Sequence, residues 1–308
     1  MKINENYTPE GRLGISPPQE LAALRQAAAE RRVFEAVAAS CTAAHELIVP
    51  LGARTGIIAR EECAIGIDDG TTREIAILSR VGKPVCFCVR EAREDVLVLS
   101  RRDAQEQALC WFLANLKRGD VVRARVTHLE NFGVFVDIGC GVTALIGIEN
   151  LSISRIWSPA ERLSVGQDIY AVVLDIDRRL RRITLTHREL LGTWSENVAR
   201  FSPGETVQGI VRSVESYGVF IELTPNLSGL AERREGLRPG QAVSVYIKSI
   251  LPERMKIKLA IIDVLGQAPT PEPPRYFLPE GRLDSWIYTP TNCLTKFIST
   301  EFNDSFDP

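Results

Sequence analysis

Hydrophobic and polar residues alternate most regularly in the segment NFGVFVDIG, residues 131–139. Successive side chains of a β-strand point to opposite faces, so a period of two predicts a strand with one buried face. Three aliphatic residues share the predicted core face: Val134, Val136 and Ile138. Phe135 and Asp137 then face outward, and an aromatic ring is expected on the outside of the sheet.

Phe132 is expected on the same outer face as Phe135. Strict alternation assigns Phe132 to the core side, but Gly133 lies between the two rings, and a glycine inside a strand often marks a bulge that resets the alternation. Two exposed rings on a small barrel suit the stacking of unpaired bases, which contributes about 1–3 kcal/mol per base. From this segment alone, the alternative that both rings belong to the core stays open.

The same pattern occurs a second time in the chain. GETVQGIVRSVESYGVFIEL, which begins at Gly204, aligns without a gap over twenty positions with GDVVRARVTHLENFGVFVDI, which begins at Gly119. The second copy keeps an aromatic residue at both positions: Tyr217 aligns with Phe132, and Phe220 with Phe135. An internal repeat is the first feature to interpret in a sequence. It predicts one small all-β module that is used at least twice.

The central copy resembles the S1 RNA-binding domain, a module named after the largest protein of the bacterial small ribosomal subunit. The resemblance is carried by GDVV, FGVFVDIG, VGQ and VLDIDRRLRRITLT in that order. It implies an OB-fold, in which five short antiparallel strands close a Greek-key barrel and RNA lies across one face. The predicted fold class is therefore all-β, with tandem OB-fold barrels of the S1 type joined by helical connectors.

The resemblance also implies a set of RNA-binding residues in the central repeat. The two aromatics are Phe132 and Phe135, the acidic residue is Asp177, and the basic position falls on Arg181 or Arg182. Four arginines cluster around this position: Arg178, Arg179, Arg181 and Arg182. A guanidinium group suits phosphate because it donates two parallel hydrogen bonds. The alternative is a solvated turn that is merely rich in arginine.

The two repeats depart from the family pattern at different positions. The family's histidine is replaced by Gly147 in the central repeat and by Glu232 in the third. The third repeat keeps the aromatics Tyr217 and Phe220, and Lys256 occupies the basic position. Because Glu232 repels phosphate, we expect the third repeat to bind RNA more weakly than the central one. Trp157 either extends the stacking face of the central repeat or packs under its loop.

Residues 33–103 have the outline of a degenerate first repeat, in which His45 and Ile48 occupy the aromatic positions. By the resemblance, a repeat without stacking rings is a candidate for docking to the ribosome.

Upstream, Ser16 is the expected N-cap of a helix within residues 16–32. The predicted division of the chain is an extension (1–32), a degenerate barrel (33–103), a helical connector (104–116), an S1 domain (117–188), a second connector (189–202), a shortened S1 domain (203–262), and a proline-rich linker with a tail (263–308). The aromatic content of the tail predicts that it folds back on a barrel or forms a small β-rich appendage.

Composition narrows the possible functions. The formal net charge is −2, with 45% hydrophobic and 25% charged residues, so RNA binding must come from a local basic stripe. Cys86 and Cys88 are expected to be buried thiols rather than metal ligands.

The N-terminal residues lack the apolar run of a signal peptide, and no segment approaches the length of a membrane span, so a cytoplasmic protein is expected. No motif for a catalytic nucleophile or a phosphate-binding glycine loop is present, and no cofactor or small-molecule substrate is predicted.

The leading hypothesis is a non-catalytic protein that binds single-stranded mRNA or rRNA. An alternative is an interaction scaffold that docks on the ribosome or on an RNA-processing assembly without binding RNA. A third hypothesis, a regulatory subunit that brings RNA to an enzyme on another chain, uses the same binding face as the first.

Overall fold

The computed structural model describes residues 7–303 of the 308-residue chain. Residues 1–6 and 304–308, the outer ends of the predicted extension and tail, lie outside the described residues. Three β-sheets, two of them closed barrels, follow one another along the chain with short helices between them, and a two-stranded sheet follows the last barrel. Within residues 7–303, no helix is long and apolar enough to cross a membrane.

The N-terminal helix α1 is shorter than its sequence pattern predicts. It spans Leu21–Ala29, its N-cap is Glu20, and no side chain caps it. The prediction that Ser16 caps this helix is wrong, because Pro17 and Pro18 follow Ser16. A residue before proline is driven to extended backbone, so the helix begins only after this pair. Leu24 and Ala27 are 1% exposed and hold α1 against the first sheet.

The first sheet surrounds its own hydrophobic core. Its strands are β1 (Val33–Val37), β2 (Ser40–Cys41), β3 (Leu47–Leu51), β4 (Arg54–Ile58), β5 (Pro84–Ala92) and β6 (Val96–Ser100), and the short helix α2 (Ile75–Leu78) lies between β4 and β5. The strand order is β1-β5-β6-β4-β3-β2. The two edge strands, β1 and β2, are separated by only residues 38–39. The Ala38 N–H donates to Lys83 at one edge, and the Ala39 N–H donates to Ile48 at the other, so this stretch closes the sheet into a ring.

Helix α3 (Arg101–Asn115) joins the first sheet to the central barrel. Its N-cap Ser100 accepts a hydrogen bond of 2.9 Å from the Asp103 N–H. Ala104, Ala108 and Phe112 form the buried face of the helix and pack into the core of the central barrel.

Cys86 and Cys88 of β5 lie in the same core, 0% and 1% exposed. Burial raises the pKa of the Cys88 thiol to about 12. The pKa of Cys86 is also raised, by its hydrogen bond with Cys140 and by burial. Both side chains are therefore buried, protonated thiols, as expected from the sequence.

The central and third barrels share one topology. The central strands are β7 (Val121–Glu130), β8 (Gly133–Asp137), β9 (Thr143–Gly147), β10 (Asp168–Asp177) and β11 (Arg182–Thr186). The third barrel has β12 (Thr206–Glu215), β13 (Gly218–Thr224), β14 (Leu227–Ala231), β15 (Gln241–Leu251) and β16 (Lys256–Gln267). Each barrel is closed, and only its third and fifth strands pair in parallel. Helix α4 (Trp194–Val198) lies between them. The fold is thus mostly β, with five-stranded barrels in tandem, as the repeat pattern predicts.

The C-terminal tail packs back on both barrels. Its strands β17 (Ser285–Ile287) and β18 (Ser299–Glu301) form a two-stranded sheet. Three aromatic residues of this segment lie in a core shared with the central and third barrels: Trp286, Tyr288 and Phe302. Both alternatives expected for the tail therefore hold together, since it is a small β-structure folded onto barrels.

Candidate nucleic-acid interface

An aromatic pair lies on the outer surface at one end of the central barrel. Phe132 is 56% exposed in the turn between β7 and β8, and Phe135 is half-buried on β8. Their ring centroids are 5.9 Å apart and their planes are at 88°. Val134 and Val136 point the opposite way and are completely buried. Both rings therefore share one outer face, in an edge-to-face contact.

The reason for this arrangement differs from the one the sequence predicts. Gly133 is not a bulge, because it pairs in regular register with Glu130 and Gly147. The bulge lies on the opposite strand, between Val126 and His128. Phe132 escapes the alternation because it precedes β8. Gly133 is instead required by close packing, since a Cβ atom there would lie 2.3 Å from the Ile146 carbonyl oxygen.

Phe135 lies in a row of outward-facing residues that crosses the sheet. Successive neighbours in this row, one on each of four strands, are His128, Phe135, Leu145 and Thr184. Sequence reasoning missed His128, because only the bulge on β7 turns it toward Phe135. The His128 ring pairs with Glu130 at 2.8 Å. Gly147, at the family's histidine position, lies on the other side of β8, so the imidazole of this face is on a different strand from the one in the family pattern.

The arginine cluster is divided between two roles. Asp177 accepts a hydrogen bond of 2.7 Å from the Leu180 N–H and so closes the turn before β11. Arg181 forms an ion pair with Glu106 of α3, and Arg178 donates to the Leu113 carbonyl of α3 at 3.2 Å. These two side chains therefore hold the connector against the barrel.

Arg179 and Arg182 are exposed, and neither has an ion pair within residues 7–303. In the ladder between β10 and β11, Arg182 lies opposite Asp177. It is two residues along β11 from Thr184, which belongs to the row that contains Phe135. Two residues of a strand span about 7 Å. An arginine side chain at this position is within reach of a phosphate beside the aromatic pair, whereas Arg178 and Arg181 are turned away.

The third barrel repeats the aromatic pair in the same place. Tyr217 is 68% exposed, Phe220 is half-buried, and their ring centroids are 6.2 Å apart with planes at 88°. Lys256 is exposed at the start of β16. Lys258 lies directly in the Phe220 row, opposite Leu230. Lys258 was missed because the family pattern assigns only one basic position, although the alternation KIKL puts both lysines on one face.

Glu232 of the third barrel has a partner that the sequence does not show. Its carboxylate lies 2.8 Å from Lys248 Nζ on strand β15. This ion pair lowers the pKa of Glu232. The pair partly compensates the negative charge that is expected to oppose phosphate.

An acidic residue next to each aromatic pair is buried by the preceding part of the chain. Asp137 was expected to be exposed, but it is 3% exposed and accepts hydrogen bonds from the Glu10, Gly139 and Gly141 N–H groups. Burial, with the nearby Glu10 carboxylate, raises the pKa of Asp137. Burial also acts to raise the pKa of Glu10, but the Arg101 guanidinium lowers it overall. The sequence prediction for Asp137 is correct about the strand face and wrong about exposure, because the N-terminal segment covers it.

The equivalent residue of the third barrel, Glu222, is covered by a loop of the central barrel. Its carboxylate accepts from Arg162 Nη2 at 2.5 Å and from Arg212 at 2.8 and 2.9 Å. Arg212 also pairs with Glu161 of that loop. Glu222, Arg162 and Arg212 are each less than a tenth exposed. The repeated module thus presents an acidic residue to the element before it, and the two barrels are held in a fixed arrangement.

The first sheet has no ring pair at the matching positions. His45 has a positive φ of 61° and pairs with Glu74 at 3.0 Å, and Ile48 is half-buried in β3. This surface therefore offers neither of the two aromatic groups that the other barrels present.

These features define a class of protein: tandem five-stranded barrels with a repeated pair of surface aromatics. Residues 115–188 match the family model of the S1 RNA binding domain. The central barrel is therefore an S1 RNA-binding domain, and the resemblance and fold class predicted from the sequence are confirmed.

The chain is similar to the small ribosomal subunit protein bS1 of bacteria. It is 34% identical over 184 residues to bS1 of Staphylococcus aureus strain N315, covering 54% of this chain and 46% of that protein. The identity to bS1 of Staphylococcus saprophyticus is 32% over 161 residues, covering 48% and 41%. The chain thus spans less than half the length of these curated relatives. A multidomain protein with nucleic acid binding domains from Streptococcus pneumoniae aligns over 75% of this chain and 73% of its own, with 16% identity and a TM-score of 0.25.

Proposed function

We propose that this protein binds single-stranded RNA, without catalysing a reaction, across the outer faces of its central and third barrels. The observation that carries the proposal is the repeated aromatic pair. Phe132 with Phe135, and Tyr217 with Phe220, have nearly the same geometry at equivalent positions. An exposed ring costs free energy in water, and stacking on an unpaired base removes it from water. Every base has an aromatic face, so this binding has little sequence preference.

Charge contributes locally rather than through the whole protein. The net charge of −2 supplies no general attraction to RNA. Near the aromatic pairs, Arg179, Arg182, Lys256 and Lys258 are exposed. Arginine and lysine side chains displace condensed counterions from the phosphates, so we expect the affinity to fall as salt concentration rises.

The similarity to bS1 supports mRNA or rRNA as the ligand and the translation machinery as the setting. The first barrel, residues 33–103, lacks surface rings and is the part that we assign to ribosome docking. A protein with this role is cytoplasmic and needs no cofactor, small-molecule substrate or membrane. Arg178, Arg181 and Asp177 belong to the proposal in a positioning role, since they fix the turn that carries Arg179 and Arg182.

The test is the affinity for a fluorescent single-stranded RNA of about twice the site size of one barrel, which is roughly 4–16 nucleotides. Anisotropy is measured at two salt concentrations for the wild type and for Phe132→Ala/Phe135→Ala. Loss of two stacked bases predicts at least about tenfold weaker binding. Phe297→Ala is the matched control, because Phe297 is 71% exposed and belongs to the tail between β17 and β18 rather than to a barrel strand.

Far-ultraviolet circular dichroism establishes that each variant is folded. Salt-sensitive binding that the double substitution weakens, and that Phe297→Ala leaves unchanged, supports the proposal. Equal affinity of the wild type and the double variant, or no binding by the wild type, overturns it. The scaffold hypothesis then becomes the leading one.

A further inference from the structure

Trp157 is the most exposed indole of the described chain. Its side chain is 67% exposed, whereas Trp194 and Trp286 are 2% and 6% exposed. The loop that carries it is well held. Glu161 accepts hydrogen bonds from the Trp157 N–H at 2.7 Å and from the Ser158 N–H at 3.0 Å, and Ile156 is buried in the central core. The loop therefore places its aliphatic side chain inside and holds its aromatic one in solvent.

This loop belongs to the central barrel but is fixed on the third. Before Trp157, the Ser154 N–H donates to the Pro225 carbonyl at 3.0 Å, and the Ser154 hydroxyl lies 2.7 Å from that of Ser228 on β14. After Trp157, Glu161 pairs with Arg212 on β12. Strand β13 lies between β12 and β14 in the barrel. The segment that carries Trp157 thus crosses from one neighbour of β13 to the other.

The crossing point is next to the aromatic pair of the third barrel. Glu222 is held by Arg162 of the loop, and Phe220 is on the same outer face of β13, two residues away. This separation is about 7 Å. Tyr217 follows in the turn before β13. The loop that carries Trp157 is therefore anchored beside Glu222, and Phe220 and then Tyr217 follow from there toward the start of β13.

We propose that Trp157 completes a composite binding site for single-stranded RNA at the junction of the central and third barrels. Its indole stacks on a base of the same strand that contacts Phe220 and Tyr217. Arg155, exposed two residues before it in the loop, contacts the adjoining phosphate. This inference rests on the proposed function and deepens it, because it makes the third barrel a binding site only in combination with the central one.

The test uses titration with fluorescein-labelled oligouridine of about 16 nucleotides, the upper site size of one such barrel. We expect Trp157→Ala to weaken binding about 5- to 100-fold, the effect of one stacked base. Trp157→Phe retains a stacking ring and recovers most of the affinity. With unlabelled oligouridine, RNA quenches the tryptophan fluorescence of the wild type, and this quenching is lost in Trp157→Phe, which keeps the other three indoles. Phe297→Ala is again the control for loss of an exposed ring.

A double-mutant cycle identifies the partners of Trp157. If the three rings bind one strand, Trp157→Ala has a smaller effect in the Tyr217→Ala/Phe220→Ala background than in the wild type. Wild-type affinity and unchanged quenching for the Trp157 variants, while Phe132→Ala/Phe135→Ala weakens binding, overturn the composite site and leave the proposed function standing. Equal effects of Trp157→Ala in both backgrounds also overturn it. If the wild type binds no oligouridine, both proposals fail.

Discussion

Glu222 is the residue whose removal tests most directly how the central and third barrels are joined. Its carboxylate is the shared partner of two buried arginines, Arg162 from the central barrel and Arg212 from the third. Substitution by alanine leaves both guanidinium groups in place and removes the charge between them. The energetic cost comes from the charges left behind more than from the hydrogen bonds that are lost.

The structure sets the size of the effect. Arg212 retains its ion pair with Glu161 after the substitution, whereas Arg162 retains only hydrogen bonds to the Ser152 hydroxyl, at 3.0 Å, and to the Glu161 carbonyl, at 3.3 Å. One buried guanidinium group is thus left without a counter-ion. Breaking such a pair costs about 3–5 kcal/mol. We expect Glu222→Ala to lower the free energy of unfolding by this amount, and Glu222→Gln, which retains one acceptor oxygen, by less.

Urea denaturation followed by tryptophan fluorescence and circular dichroism measures the loss. Glu232→Ala is the matched control, since it removes a glutamate that also pairs with a cation but is exposed on the surface. Surface pairs contribute little, and the control is expected to unfold at the wild-type midpoint. If Glu222→Ala costs less than about 1 kcal/mol at an unchanged denaturant slope, the buried arginines find water or other partners, and the argument for a fixed junction is refuted.

Two further predictions concern the docking of the tail. His187 donates from Nδ1 to the Leu151 carbonyl and accepts at Nε2 from the Tyr276 hydroxyl, and burial lowers its pKa from 6.5 to about 4. Between pH 6.5 and pH 4 the unfolded chain binds a proton at His187 that the folded chain does not, so the free energy of unfolding falls by about 3 kcal/mol over this range. The urea midpoint of His187→Gln should fall less than that of the wild type as the pH is lowered. Equal falls in both proteins contradict the lowered pKa of His187. Gly119→Ala puts a methyl group 1.9 Å from the Leu283 carbonyl oxygen at a φ of +87°, whereas the equivalent Gly204, at +95°, has no atom within 4 Å. Only Gly119→Ala should release the tail and expose Trp286 to acrylamide quenching, and equal quenching in the two variants would falsify the contact.

The sequence was sufficient for the repeated module. The alternation around Phe135 and its copy around Phe220 reflect a local property, the difference between the two faces of one strand. Each barrel encloses its own core, so this pattern holds wherever the barrel lies in the chain. The same argument gave the exposed face of Phe135 and Phe220, because the residues that contact the core are alternate neighbours in sequence. Phe132 and Tyr217 are exposed for another reason, since each precedes its strand.

Two structural details were predicted wrongly from the sequence: the position of the bulge near Phe135 and the start of α1. The bulge near Phe135 is on β7, and no residue type marks it there, since Val126 and His128 are both compatible with regular strand. A bulge depends on how two strands are paired and not on one strand alone. The start of α1 was predicted too early for a different reason. Pro17 and Pro18 were assigned to the first turn of the helix, whereas the helix begins at Leu21.

The sequence by itself determined the repeated barrel, its fold class and the positions of the paired rings. Only the tertiary structure decided which outward-facing residues remain in contact with water. Asp137 and Glu222 face outward on their strands, yet each is buried by a segment far from it in sequence: Asp137 by Glu10, 127 positions away, and Glu222 by Arg162, 60 positions away. Arg178 and Arg181 likewise are directed to α3, while Arg182 stays exposed. A local pattern records which face of a strand meets its own core, whereas burial of the opposite face depends on how separate parts of the chain pack together.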